Sequence, residues 1–202
     1  MFWSFCFQEI LGLEFISSVN EITLNGGKET ILGVLSIAVV PAIIEETIIR
    51  GIVMQPLRKY GDKYAIIASA LLFAVLHGNM VQIPYTVIGG MLLGYLAVAT
   101  GSLWPSIVLH FINNLYSVIA LSVNDNFGEK QSAVVTAIML ITFAVVGIIG
   151  IIKFMKLKYK VTLSTGNSVL TVGEKVIATL KNGPAIVALV LLALVTISNI
   201  NF

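Results

Sequence analysis

Five side chains able to do chemistry stand inside long apolar stretches of the chain: Glu45, Glu46, His77, His110 and Asn114. A carboxylate held in an apolar medium can act as a general base, and beside a histidine it can hold and activate a water molecule. A histidine and an asparagine amide can donate hydrogen bonds to an oxyanion. Together these residue types are the parts of a hydrolase that activates water.

The spacing of the charged residues indicates different roles for Glu46 and Glu45. Glu46 and Arg50 are four residues apart, so on a helix they share a face and can form an ion pair. Glu45 points about 100° away from Glu46. Each charge at the centre of a membrane helix costs roughly 2.5–3.5 kcal/mol on insertion scales. A structural ion pair would explain Glu46 and Arg50 but leaves Glu45 unexplained, which favours a functional site.

The same residues also suit a metal. Two histidines and one glutamate form the ligand set of many catalytic zinc sites, so Glu45, His77 and His110 are candidate ligands. The sequence leaves open whether the cofactor is zinc or whether there is none. Asn114 is a poor zinc ligand and fits the oxyanion role better. There is no His-Glu-x-x-His motif, no Asp within the predicted spans and no Gly-x-Ser element in a span, which disfavours zinc-helix, aspartyl and serine mechanisms.

The elements that position these residues are predicted to be membrane helices. Of the 202 residues, 57% are hydrophobic and 11% are charged. A soluble domain carries about 25% charged residues, so this chain needs lipid as its solvent. The predicted fold class is an all-α membrane protein, a bundle of about six transmembrane helices. The apolar stretches are residues 31–54, 64–81, 85–100, 103–123, 132–154 and 184–200.

These helices divide the chain into four parts. Residues 1–30 are predicted to be an interfacial segment or the remainder of a truncated span, and residues 31–154 a catalytic core of five helices. Residues 155–182 are predicted to be a polar cytoplasmic connector, and residues 183–202 a C-terminal transmembrane helix.

Charge supports the helix count and indicates the partners. With the loop after the first span in the cytoplasm, that side holds nine basic residues against two (Lys28 and Lys130) outside, as the positive-inside rule requires. The nine are Arg58, Lys59, Lys63, Lys153, Lys156, Lys158, Lys160, Lys175 and Lys181. A net charge of +2 does not argue for nucleic acid. The predicted partners are membrane lipid and a peptide or protein substrate near the membrane surface.

Three motifs occur in order, about 30 residues apart, each in a hydrophobic span: Glu45-Glu46-x-x-x-Arg50, Phe73-x-x-x-His77 and His110-x-x-x-Asn114. They resemble the signature motifs of the CAAX protease and bacteriocin-processing (Abi, or CPBP) family of intramembrane endopeptidases. The resemblance covers residues 37–116. It implies a helical bundle with a cavity open to one membrane face, and proteolysis of peptides or protein tails near the membrane.

Residue roles follow from the resemblance by motif. It implies that Glu45 is the base with His77 beside its water, and that His110 and Asn114 stabilise the oxyanion. Glu46, Arg50 and Phe73 would support the site, and the motif leaves open which glutamate is the base. The family is described both as metal-dependent and as glutamate-dependent. Bacterial members are linked to bacteriocin maturation, self-immunity and peptide signalling. Low Arg and high Ile content indicates a prokaryotic plasma membrane.

Two other function classes stay open at this stage. One is a non-catalytic membrane immunity or scaffold protein of the same fold. The other is a proton-coupled transporter, because buried acids and histidines also serve proton relays, although no second matching half is visible. Two further features have structural interpretations. Pro41 removes the hydrogen bond to the Ile37 carbonyl, which predicts a kink. Gly90-x-x-x-Gly94 predicts a close helix approach.

Overall fold

A computed structural model describes residues 24, 26–77, 82–156 and 161–181, with isolated positions 183, 186, 187 and 190. Within that part of the chain the regular structure is helical, and we label six helices. They are α1 (Gly27–Tyr60), α2 (Asp62–Leu76), α3 (Ile83–Thr100), α4 (Trp104–Phe127), α5 (Glu129–Lys156) and α6 (Val172–Leu180). The predicted all-α class is therefore confirmed.

Four of these helices are long and apolar enough to cross a membrane by length and composition: α1, α3, α4 and residues Glu129–Gly150 of α5. None of the most apolar window of α5 is buried inside the protein. An apolar surface of that size needs lipid around it, so the chain is an integral membrane protein. The second span was predicted to end at residue 81, whereas α2 has 15 residues and ends at Leu76. Residues 1–23 and nearly all of the predicted last span lie outside the described residues.

Helix α1 changes its hydrogen-bond register twice around the first motif. Two π-helical segments, Val34–Val39 and Thr47–Val53, flank the α-helical turn Val40–Glu46. The first ends beside Pro41, which has no backbone N–H to donate, and the Val40 N–H bonds to the Leu35 carbonyl five residues back. π-Helical turns inside α-helices are frequent at functional sites. The two glutamates therefore lie at the end of a seven-residue α-helical segment between two π-helical segments.

The described residues cluster into two compact units. One is built mainly from Glu45–Ser106 with the segment after Leu163, and the other from residues up to Ile44 with Ile107–Thr162. In the first unit, side chains from α1, α2 and α3 form the core. Its buried members are Ile49, Val53, Met54, Leu57, Tyr60, Ala65, Ile66, Phe73 and Ala97. In the second unit, Leu24, Ala38 and Val118 are buried together.

A close approach between α2 and α3 completes the first unit. A Cβ on Gly90 would lie 3.1 Å from the Ala70 Cβ, so only glycine leaves room for the observed packing. Gly94, one turn further on, faces Ile66 and Met54. The close helix approach predicted from the two glycines is confirmed.

The segment after residue 160 docks onto the junction of α1 and α2. The Asp62 carboxylate accepts hydrogen bonds from Arg58 Nε (2.7 Å) and from the Ser164 N–H (2.8 Å). Burial acts to raise the pKa of Asp62, but the bonds from Arg58 and Ser164 outweigh it, so the pKa lies below its ordinary value. At Gly166 (φ 74°), a Cβ would lie 2.6 Å from the Lys59 carbonyl oxygen, so the two backbones meet there without a side chain between them.

Helix α6 lies in the stretch 155–182, for which the sequence predicted a polar connector and no helix. Its start carries a capping box, in which Thr171 Oγ1 accepts from the Glu174 N–H and the Glu174 carboxylate accepts from the Thr171 N–H. The Thr171 N–H and the Thr171 hydroxyl both donate to the Glu174 carboxylate, and these two bonds lower the pKa of Glu174. The Thr-x-x-Glu sequence is the signal that would have located this helix start.

Candidate active site

The buried ion pair of the first motif lies at the centre of the first unit. Arg50 Nη1 donates to Glu46 Oε1 at 3.1 Å, and both side chains are fully buried. The pairing predicted from the four-residue spacing is confirmed. Arg50 Nη2 also donates to the Gly90 carbonyl at 3.0 Å, which ties α1 to α3. Two buried charges are tolerated where they are paired and hydrogen-bonded, as these are.

Phe73 of the second motif connects this pair to the histidine. The Arg50 guanidinium carbon lies 4.7 Å from the centre of the Phe73 ring, within range of a cation–π interaction. The same ring meets the His77 ring edge-on, with centroids 4.7 Å apart. Phe73 is buried. The Phe73 ring therefore contacts both the Arg50 guanidinium and the His77 ring, and it helps to hold His77 in place relative to the Glu46–Arg50 pair.

A cavity of about 200 Å³ lies beside Phe73 and His77. Its lining residues are Glu45, Ile48, Ile49, Phe73, Leu76 and His77. Glu45 and His77 supply the ionisable groups, and the rest of the lining is apolar. A space of this size accommodates a few water molecules or one apolar side chain. The structure thus brings the Glu45 and His77 of two separate motifs to one cavity.

The tautomer of His77 follows from its backbone contact. His77 Nδ1 lies 2.9 Å from the Phe73 carbonyl oxygen. A carbonyl can only accept, so Nδ1 carries the hydrogen in that bond and, in the neutral ring, Nε2 carries the lone pair. The arrangement assigns Nε2 as the nitrogen able to accept a proton or orient a water.

The third motif lies on α4, in the second unit. His110 is buried and stands one turn before Asn114, so the two share a helix face. Asn114 Nδ2 donates to the Ile37 carbonyl at 3.0 Å. That carbonyl is the one that Pro41 cannot serve, because proline has no N–H four residues later. Asn114 therefore has a structural hydrogen bond in addition to the oxyanion role that the motif predicts.

Sequence reasoning missed the apolar lining and the backbone acceptor of Arg50. Ile48 and Ile49 follow Glu45 by three and four residues, and Leu76 follows Phe73 by three. These spacings place side chains on a common helix face, so the lining residues were open to prediction. The Gly90 carbonyl was not, because its contact with Arg50 depends on how α1 packs against α3.

The zinc option stays a prediction. A catalytic zinc ion takes three protein ligands. Within the described ranges, no group of three or more His, Cys, Asp or Glu side chains is placed to hold a metal ion. The metal-ligating side chains that line the cavity are one carboxylate, Glu45, and one imidazole, His77.

The fold and the cavity define a membrane protein with a carboxylate and a histidine at one mostly apolar cavity. In a comparison with known families, residues 27–116 match the family described as type II CAAX prenyl endopeptidase Rce1-like. The resemblance found in the three motifs is thereby confirmed, over just under half of the 202 residues. The Rce1-like family is a family of proteases. No curated protein and no solved structure matches the chain.

Proposed function

We propose that this protein is an intramembrane endopeptidase that cleaves a membrane-associated peptide or protein tail with water activated by Glu45 and His77. The observation that carries the proposal is that these two side chains line one cavity of about 200 Å³. The family match supports the reaction class. Its name also makes a prenylated CAAX peptide the first substrate to try.

The proposed chemistry is hydrolysis of an amide bond. Glu45 takes a proton from the water as its oxygen forms a bond to the substrate carbonyl carbon. His77 Nε2 accepts a hydrogen bond from the same water and orients it. The C–N bond then breaks, and the proton held by Glu45 goes to the departing amine. The assignment of the oxyanion to His110 and Asn114 rests on the motif alone.

The apolar lining supports this proposal physically. Ile48, Ile49 and Leu76 make the cavity wall beside the carboxylate apolar, and an electrostatic interaction is stronger in an apolar environment than in water. The Glu46–Arg50 pair, held by Gly90 and Phe73, fixes the helix turn on which Glu45 stands. We therefore propose Glu45 as the base and Glu46 as a supporting residue.

The two glutamates provide a matched test. Glu45→Gln removes the base but keeps the size of the side chain, so we expect cleavage to fall about 100-fold or more while the unfolding temperature stays close to that of the native protein. Glu46→Gln leaves the Arg50 charge buried without its counter-ion, and we expect a loss of roughly 3 kcal/mol or more of stability. The measurements are cleavage and thermal unfolding of purified protein in lipid vesicles, with a farnesylated CAAX peptide and its unprenylated counterpart.

The outcomes separate the competing functions. Cleavage of either peptide that survives Glu45→Gln unchanged would rule out Glu45 as the base. If the native protein cleaves neither peptide nor a library of membrane-bound peptides, the endopeptidase proposal fails, and the non-catalytic immunity or scaffold function takes its place.

A further inference from the structure

Helix α6 presents three distinct sides, and the first is fixed to the protein. Lys175 Nζ donates to the Tyr60 carbonyl at 3.0 Å. The Thr179 and Tyr64 hydroxyls are 2.7 Å apart, and Thr179 is 5% exposed. Ala178 packs against the core of the first unit. These three positions, spaced by three and four residues, form one face of the helix.

The second side is apolar and exposed. Val172, Val176, Ile177 and Leu180 are between 45% and 72% exposed. At about 100° per residue they cover roughly 140° of the helix surface, directly beside the docked face. A sector this wide on a nine-residue helix is the signature of amphipathic contact with an apolar phase.

The third side is polar. Glu174 and Lys181 lie on the arc between the apolar sector and the docked face, about 110–130° from the centre of the apolar sector, and both are exposed. The surface that α6 leaves uncovered is therefore divided lengthwise into an apolar strip and a charged strip. A helix with this division lies along the boundary between water and hydrocarbon.

The level of α6 in the membrane follows from its contact with α1. Tyr60 is the last residue of a helix that is long and apolar enough to span the bilayer. Because Lys175 bonds to the Tyr60 carbonyl, α6 is held at the end of that span, where hydrocarbon gives way to headgroups. Lys59 and Lys63 next to this point attract anionic headgroups.

We propose that α6 is an interfacial membrane-binding helix, and that Val172, Val176, Ile177 and Leu180 insert into the lipid layer around the α1 terminus. Residues 172–180 then belong to the membrane-bound part of the protein, rather than to a solvent-exposed connector. The bilayer, rather than a protein partner, covers the apolar strip, because the adjoining end of α1 places that strip where lipid begins.

The test compares neighbouring positions on the same helix. In the full chain with Cys6→Ser, single cysteines at Val176, Leu180, Glu174 and Lys181 are labelled with an environment-sensitive fluorophore. The protein is reconstituted in phosphatidylcholine–phosphatidylglycerol vesicles. Quenching is measured with iodide in the water and with a nitroxide attached near the headgroup end of a lipid chain.

We expect the lipid nitroxide to quench labels at Val176 and Leu180 several-fold more than labels at Glu174 and Lys181, with the reverse order for iodide. All four positions are exposed, so the substitutions leave the docked face intact. Equal iodide quenching at Val176 and Glu174 would overturn the proposal in favour of a solvated connector. Protection of Val176 from both quenchers would overturn it in favour of a protein partner. The quenching measurement needs no proteolysis, so its result does not depend on whether the proposed activity is correct.

Discussion

The Asn114 amide gives the Ile37 carbonyl the hydrogen bond that a backbone N–H gives elsewhere in a helix. If Asn114→Ala leaves this carbonyl without its donor, we expect a loss of about 1–2 kcal/mol. Pro41→Ala returns an N–H four residues after Ile37 and makes the amide redundant. We therefore expect Asn114→Ala to cost little in the Pro41→Ala background, measured by thermal unfolding of the four proteins of the double-mutant cycle.

Ser117→Ala is the control for this cycle, because Ser117 is an exposed polar residue on the same helix. An equal cost of Asn114→Ala in both backgrounds would mean that the bond to Ile37 does not carry the effect. Activity adds a second comparison. If Asn114 also donates to the oxyanion, Pro41→Ala restores the stability of the Asn114→Ala protein without restoring cleavage.

Residue-scale predictions from the sequence succeeded where both partners stand on one helix. Glu46 and Arg50 were predicted to pair because their spacing alone brings them together. The missing donor at Pro41 was visible as well, but its replacement by Asn114 was not, because that bond joins residues 77 positions apart in the chain. A local spacing rule carries no information about such contacts.

At the scale of elements, the α2–α3 contact depends on Gly90. In Gly90→Ala the added methyl group would lie 3.1 Å from the Ala70 Cβ and 3.4 Å from Arg50 Nη2, so the helices must separate by a few tenths of an ångström. We expect a loss of about 1–3 kcal/mol. Thermal unfolding in detergent measures it.

The preceding residue supplies the control. No atom lies within 4 Å of a Cβ built on Gly89, so Gly89→Ala adds a methyl group without a clash. Because alanine has the higher helix propensity, we expect this protein to be unchanged or up to about 1 kcal/mol more stable. A comparable loss in both variants would show that helix flexibility, not the contact with Ala70, explains the Gly90 result.

The elements that sequence reasoning missed have particular physical causes. The π-helical segments of α1 cannot be inferred from hydropathy, because their apolar content is the same as that of an α-helix. Helix α6 lacks the length of a span, and its start is marked only by the Thr171 and Glu174 capping pair. The ends of α3, α4 and α5 lie within four residues of their predicted bounds, because a run of about twenty apolar residues is typical of a membrane helix. Helix α1 extends six residues beyond its predicted end.

At the scale of the whole molecule, Asp62 links the α1–α2 junction to the segment a hundred residues later. The hydrogen bonds from Arg58 and Ser164 lower its folded pKa, so they stabilise this link above the unfolded pKa, near 3.8. That stabilisation is lost as the pH falls through the folded value. We expect hydrogen exchange at residues 161–166 to accelerate below about pH 4, relative to α3 in the same sample.

Asp62→Asn tests the cause of that acid sensitivity. The amide cannot carry the charge that Arg58 binds, so residues 161–166 should exchange faster at neutral pH and show little further change on acidification. If native protein and variant show the same pH profile, another group controls the segment. This link was not predictable from the sequence, because Asp62 and Ser164 are 102 residues apart in the chain.

The intrahelical position of the Glu46–Arg50 pair has a consequence for biogenesis. As the ribosome delivers the chain, α1 reaches the translocon ahead of helices α2 to α6. Gly90, the other partner of Arg50, follows 40 residues later. Because the carboxylate and the guanidinium stand on the same helix, the helix can enter the lipid with those two charges already matched, without waiting for a second helix. A protein that recruited the acid from a later span would expose an unmatched arginine during membrane insertion.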